Sequence, residues 1–113
     1  MPYISFTTSK DLTGVERDTI RRELGFLIST IPGKSEASLM IDIMDGHDMY
    51  FGGERRVCAY INVALYTTAP FEAKREFAGA VCEMLAREVG IPADDVYLTF
   101  SEYANWCLGG TLQ

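Results

Sequence analysis

The chain has 113 residues, of which 48% are hydrophobic and 23% are charged, and these proportions are typical of one globular domain. Its formal net charge of −6 argues against a nucleic-acid partner, since such a partner calls for a basic surface. No apolar run approaches the ~20 residues of a membrane span and no charged leader precedes the first strand, so we expect a cytoplasmic protein without a membrane partner.

The first half of the chain predicts a strand, a helix and a second strand. Residues 2–8 are rich in types that favour the extended state. Thr13 and Glu16 have the spacing of a capping box, which marks the start of a helix. Apolar residues then recur at helical spacing until the pair at 32–33, Pro-Gly, ends the helix. Residues 38–44 are mostly apolar and predict the second strand.

The second half predicts the same three elements again. Residues 57–66 form a long strand, a helix starts near Pro70 and ends at Gly90, and residues 96–100 form a fourth strand. Two short pieces complete the chain: a brief extended segment at 49–51 and a tail at 104–113.

The two halves share one register. An offset of 57 residues places Tyr3 on Tyr60 and, without a gap, Gly33 on Gly90. We therefore predict an α+β fold made of a duplicated β-α-β unit, with pseudo-repeats at about 1–56 and 57–113 in a single domain. Crossover connections make the paired strands of each unit parallel. Two units side by side give a four-stranded mixed sheet with both helices on one face.

The other face of this sheet is expected to need a cover. The strands alternate little and read as apolar throughout, and a single chain of this length has no third layer. Self-association into a closed ring of few subunits is the natural solution.

Pro2 is the residue best suited to acid–base chemistry. If Met1 is removed, Pro2 carries a free secondary amine at the end of a strand. An α-amino group has a pKa near ~8, and burial or a neighbouring cation lowers it towards the range that a general base needs at neutral pH. The alternative is that the proline simply starts a strand, where its missing N–H does no harm.

Taken together, these features resemble the tautomerase superfamily and, within it, the macrophage migration inhibitory factor group. The resemblance spans almost the whole chain and rests on order and spacing: Met1-Pro2 opening a strand, Gly33-Lys34 after the first helix, Phe51-Gly52-Gly53, Cys58-Ala59, and the segment 92–97. It implies a homotrimer in which three sheets enclose a central barrel. It also implies a cofactor-independent keto–enol tautomerase acting on a 2-oxo acid such as phenylpyruvate.

The resemblance also implies roles for individual residues. Pro2 would be the catalytic base, Lys34 would bind the substrate carboxylate, and Tyr97 of an adjacent subunit would close the pocket or donate a proton. The residues implied in substrate binding are Lys34, Tyr66, Tyr97, Thr99, Trp106 and Leu108. Thr99 stands where the family often has Asn, Tyr66 is bulkier than the usual Ile, and the tail around Leu108 departs from the family pattern.

Each role has a structural alternative. Lys34 after a helix end can serve only the helix dipole, an effect of ~0.3–1 kcal/mol at exposed sites. Tyr97 can be an ordinary strand aromatic, and Trp106 can anchor the tail by packing.

Other chemistry is poorly supported. His47 is the only histidine and its surroundings match no ligand spacing, so we expect no metal site. The three cysteines include no Cys-x-x-Cys pair, so we expect no thiol–disulfide activity. A further alternative is a dehalogenase or decarboxylase of the same superfamily. Such relatives carry arginines close to the proline. Here the only arginines outside the predicted helices are Arg55 and Arg56, and both read as loop residues.

The functional alternative comes from the same family. The alternative hypothesis is a cytokine-like binding module with incidental tautomerase activity. Such a module would leave the cell by leaderless secretion and bind a receptor. The sequence carries no receptor-contact pattern that we can identify.

Overall fold

The computed structural model describes all 113 residues. The helices and strands in chain order are β1 (Pro2–Thr8), α1 (Gly14–Leu27), β2 (Met40–Met44), β3 (Tyr50–Phe51), β4 (Glu54–Arg55), β5 (Ala59–Tyr66), α2 (Phe71–Met84), β6 (Val96–Tyr103), β7 (Cys107–Leu108) and β8 (Thr111–Leu112).

Four strands form one mixed sheet in the order β2-β1-β5-β6. The two outer pairs are parallel and the central pair, β1 with β5, is antiparallel. Tyr3 lies opposite Met40 in the first unit, and Tyr60 lies opposite Tyr97 in the second. Both positions of the second pair are offset from those of the first by the 57 residues read from the sequence, so the duplicated β-α-β unit is confirmed.

The first helix begins where the capping box predicts. The Thr13 hydroxyl accepts from the Glu16 backbone N–H at 3.1 Å, and the Glu16 carboxylate accepts from the Thr13 N–H at 3.0 Å. These two bonds satisfy donors that a helix start otherwise leaves free. A 3₁₀ turn over Ile28–Thr30 then carries the chain to the predicted stop.

The second helix starts at Phe71, directly after Pro70. A π-helical turn, Leu85–Val89, continues directly from it. Gly90 ends it with a φ of 73°, the left-handed conformation that favours glycine. Neither α1 nor α2 is long and apolar enough to cross a membrane.

The core lies between the two helices and one face of the sheet. Its largest members are Phe6 and Phe77, from β1 and α2, and both are fully buried. Along β1 the burial alternates strictly, so Pro2, Ile4 and Phe6 face the helices while their neighbours do not.

The prediction that both faces of the sheet are apolar is wrong. The face away from the helices carries many polar side chains, and these bond to one another. The Tyr3 hydroxyl donates to Asp42 at 3.1 Å, and the Asn62 amide donates to Thr99 at 2.9 Å and to Ser101 at 3.0 Å. This face does not need a further layer to satisfy its polar groups, so the argument for self-association from an uncovered apolar face fails.

Several boundaries also differ from the sequence-based expectation. The second strand begins at Met40 rather than at 38, because Glu36–Ser38 forms a 3₁₀ turn. The fourth strand runs on to Tyr103, because it pairs with β5 along its whole length and the Tyr103 carbonyl accepts from Thr67 N–H at 2.7 Å. The tail at 104–113, to which the sequence assigns no element, forms the β7–β8 hairpin.

Candidate active site

The candidate site lies at the start of β1. Pro2 is buried, and it pairs across the sheet with Leu65 of β5. A cleft of about 430 Å³ opens beside it. Its walls come from the amino terminus, the loop before β2 and the tail hairpin: Met1, Pro2, Tyr3, Ala37, Ser38, Leu39, Met40, Trp106 and Leu108.

Lys34 reaches this end of the sheet from the turn after α1. Gly33 takes a φ of 78°, which lets the chain reverse, and the Lys34 N–H donates to the Ile31 carbonyl at 3.1 Å. The Lys34 ammonium donates to the carbonyl oxygen of Tyr66 at 3.2 Å. That bond fixes a half-buried cation at the end of β5, next to the strand that starts with Pro2.

The terminal amine and Lys34 act on each other electrostatically. Burial lowers the pKa of the Met1 α-amino group below its ordinary value, and the charge and hydrogen bonding of Lys34 lower it further. Both causes penalise the protonated form of an amine. The amino terminus of the fold is therefore an environment that favours a neutral amine.

Trp106 and Leu108 are brought to the cleft by the tail hairpin. Two backbone bonds between Trp106 and Gln113, of 3.1 and 2.9 Å, close the base of this hairpin. The Trp106 ring meets the Tyr103 ring edge to face, with 6.1 Å between centroids.

A second, larger cleft of about 580 Å³ adjoins the first on the face away from the helices. Tyr3, Met40 and Trp106 line both clefts. The two clefts therefore share part of their walls.

Tyr97 and Thr99 do not join this group within one chain. Pro2 aligns with Leu65, whereas Tyr97 aligns with Tyr60, which pairs with Thr7 at the other end of β1. Five residues of strand separate these levels by roughly 17 Å at 3.3–3.4 Å per residue. Thr99 bonds to Tyr60 and Asn62 of its own chain. Tyr66 contributes its carbonyl to the position of Lys34.

Sequence reasoning missed Tyr3 and Met40, which form the boundary between the two clefts. The signal was available for Tyr3, because a residue that follows a buried strand position points to the opposite face. Met40 required knowledge of the strand register, which pairs it with Tyr3.

The remaining candidates lie elsewhere. His47 lines a polar cleft with Asp48, Arg55 and Arg56 beyond the far end of β1, and the structure gathers no three His, Cys, Asp or Glu side chains into a group that could hold a metal. All three cysteines are free thiols, and Cys58 is buried.

Comparison with known proteins identifies relatives of this chain. A sequence model of the family described as macrophage migration inhibitory factor (MIF) matches residues 1–111. The macrophage migration inhibitory factor of Xenopus tropicalis is 26% identical over 85 residues, which is 75% of this chain and 74% of that protein.

Solved structures share the fold. The MIF2 protein of Leishmania major superposes with a TM-score of 0.91 at 21% identity, covering 100% of this chain and 97% of its own. The protein Pt0534, described as inactivated by 2-oxo-3-pentynoate, gives a TM-score of 0.84 at 16% identity, covering 96% and 92%. Because the family model matches nearly every residue, this chain belongs to the macrophage migration inhibitory factor family.

Proposed function

We propose that this protein is a cofactor-independent keto–enol tautomerase that acts on a 2-oxo acid such as phenylpyruvate, with the amine of mature Pro2 as the general base. The observation that carries the proposal is the environment of the terminal amine. Burial and Lys34 both lower the pKa of the amine at this position, and the amine stands beside an aromatic-lined cleft. Removal of Met1 would transfer this environment to the ring nitrogen of Pro2.

The residues divide the reaction between them. The neutral Pro2 amine takes a proton from the carbon next to the carbonyl, and the electron pair of that C–H bond moves to form the enolate. The protonated amine then returns the proton to the enolate oxygen, which completes ketone-to-enol conversion without a net change of atoms. Lys34 binds the carboxylate of the substrate and stabilises the developing negative charge. Its charge also disfavours protonation of the base.

The apolar walls of the cleft suit the aryl group of the proposed substrate. Trp106 and Leu108 offer apolar surface next to Pro2, and Tyr66 lies at the end of β5 near Lys34. Tyr97 and Thr99 would complete the pocket from an adjacent copy in a homotrimer, since they lie too far from Pro2 in their own chain. The inactivation of Pt0534 by a 2-oxo compound supports this substrate class by analogy of fold.

A second candidate function is that of a cytokine-like binding module with incidental tautomerase activity and a receptor partner. The observation that favours it is the relationship to the Xenopus factor, whose name describes an effect on cell migration. The two candidates differ in what Pro2 is for. Only the enzymatic one requires its free amine.

The experiment compares the decay of phenylpyruvate enol with wild-type protein, Pro2→Gly and Pro70→Gly. Mass spectrometry of each purified protein first establishes that Met1 is absent. Pro70 is exposed and directly precedes α2, so its replacement controls for the general effect of losing a proline. We expect Pro2→Gly to lose most of the rate and Pro70→Gly to retain it. Equal rates for wild type and Pro2→Gly would refute the proposal.

A further inference from the structure

Tyr97 contacts the ring of Phe51, and Phe51 in turn contacts Arg56; both partners lie in the segment before β5. The Phe51 and Tyr97 rings are 5.0 Å apart between centroids, at an angle of 43°. The Arg56 guanidinium carbon lies 4.6 Å from the centre of the Phe51 ring. We call this group of Arg56, Phe51 and Tyr97 the Arg56 stack.

The stack is tied to the backbone that carries Tyr97. The Arg56 guanidinium bonds to the Asp95 carboxylate at 2.6 Å, two residues before Tyr97. Phe51 is held in place by the β3–β4 hairpin, whose turn at Gly52 and Gly53 has φ values of 62° and 81°. The ion pair therefore anchors Arg56 to the turn just before β6, and the hairpin fixes Phe51 beside the Tyr97 ring.

This restraint is unusual for a side chain so open to solvent. Tyr97 is 63% exposed, and an exposed ring ordinarily keeps its rotamer freedom. Contact with Phe51, which itself packs against the Asp95-anchored Arg56, reduces that freedom before any ligand arrives. Groups that are ordered in advance lose less entropy on binding, so they bind more strongly.

We propose that Phe51 and Arg56 are positioning residues that hold Tyr97 in the orientation needed at the active site. The inference rests on the proposed function, in which Tyr97 forms a wall against the substrate bound at Pro2 of another copy. Phe51 and Arg56 act through Tyr97 and do not touch the substrate. Their loss should weaken substrate binding without changing the chemistry at the amine.

The same hairpin carries a matched control. Arg55 lies 5.5 Å from the centre of the Tyr50 ring, donates to its hydroxyl at 3.2 Å and pairs with Asp48 at 2.9 Å. This pair has the chemistry of Arg56 and Phe51. Because neighbouring strand residues point to opposite sides, Tyr50 points away from the side on which Phe51 meets Tyr97.

The test combines kinetics with nuclear magnetic resonance of the Tyr97 ring. In Phe51→Leu and Arg56→Gln we expect KM to rise by about 2- to 12-fold, the range that a typical aromatic pair gives at tenfold per 1.4 kcal/mol, with kcat unchanged. The ring-current shift that Phe51 imposes on the Tyr97 protons should disappear in Phe51→Leu. Arg55→Gln should leave both quantities at their wild-type values.

A double-variant comparison separates positioning from a general loss of stability. In a Tyr97→Ala background, Phe51→Leu and Arg56→Gln should have no further effect on KM, because the ring that they position is gone. Equal KM changes with and without Tyr97 would overturn the inference. So would an Arg56→Gln protein that changes its oligomeric mass in sedimentation, since Arg56 would then act on assembly.

The outcomes distinguish this inference from the proposed function. A full rate in Pro2→Gly refutes the base and, with it, the catalytic part of the inference. A loss of rate in Pro2→Gly together with an unchanged KM in Phe51→Leu and Arg56→Gln refutes the positioning role alone. A Tyr97 ring shift that is absent in the wild type refutes the stack itself, whatever the activity.

Discussion

Two helix glycines of opposite surroundings give a quantitative test of the structure. Gly79 lies on the exposed side of α2, and a Cβ atom added there would meet nothing within 4 Å. Gly25 is buried on α1, and a Cβ added there would lie 2.1 Å from Oε2 of Glu36 and 2.6 Å from its Cδ. Alanine should therefore have different effects at the two positions.

The magnitudes follow from helix propensity and packing. Gly→Ala inside a helix contributes about 0.5–1 kcal/mol, so Gly79→Ala should stabilise by that amount. At Gly25 the same gain meets an overpacking cost of about 1–3 kcal/mol, and the lower end applies because the obstacle is the far end of a flexible side chain. The sum for Gly25→Ala is close to zero or slightly unfavourable.

Urea unfolding at a fixed protein concentration measures the free energy of unfolding of both variants, because oligomers make stability depend on concentration. A Glu36→Ala background removes the obstacle, so Gly25→Ala should stabilise there as Gly79→Ala does. If Gly25→Ala stabilises the protein equally with and without Glu36, the close approach between Glu36 and α1 is wrong.

Two further predictions concern charged groups. Lys34→Met keeps the apolar stem of the side chain but removes the cation proposed to bind the substrate carboxylate. KM should therefore rise about 10- to 150-fold, which corresponds to the free energy of a charge-assisted hydrogen bond, and Lys10→Met should leave KM unchanged. Equal KM values for the two variants would exclude Lys34 as the carboxylate site. The Ala69 N–H and then Lys74 lower the pKa of Glu102. The unfolded chain therefore binds the proton first, stability falls as the pH drops below the ordinary Glu value of 4.5, and Glu102→Gln should flatten that fall in acid unfolding curves. An unchanged pH dependence in Glu102→Gln would contradict this.

The sequence predicts the repeated unit well because its signals are local. The capping box of Thr13 and Glu16 forms within one helical turn, and the helix stop at Gly90 depends on the left-handed conformation of that single residue. The offset of 57 residues needs no knowledge of contacts. It appears in the structure as the same strand register in both halves.

The polar face of the sheet was missed for a chemical reason. Tyr60, Ala64 and Tyr66 count as apolar in a strand pattern, and they mask the alternation of β5. In the structure the Tyr60 hydroxyl bonds to Thr99, so its ring belongs to the polar face. A strand tyrosine can be assigned to the apolar or the polar face only when the hydrogen-bond partner of its hydroxyl is known.

The site divides in the same way. The sequence singles out Pro2 and Lys34, which lie at the same end of the sheet. It does not show that Tyr97 lies at the opposite end of the sheet within one chain. The stack of Phe51 on Tyr97 depends on a two-residue strand pair, which is too short for any periodic signal.

The central proposal is that the fold lowers the pKa of the amine of mature Pro2 and so favours its neutral, basic form. Its most direct test is a titration of the ¹⁵N-labelled Pro2 amine in the folded protein, in the urea-unfolded chain and in Lys34→Met. We predict a pKa in the folded wild type that lies below that of the unfolded chain and rises in Lys34→Met. A folded pKa at or above the unfolded value, unaffected by Lys34→Met, would contradict the account.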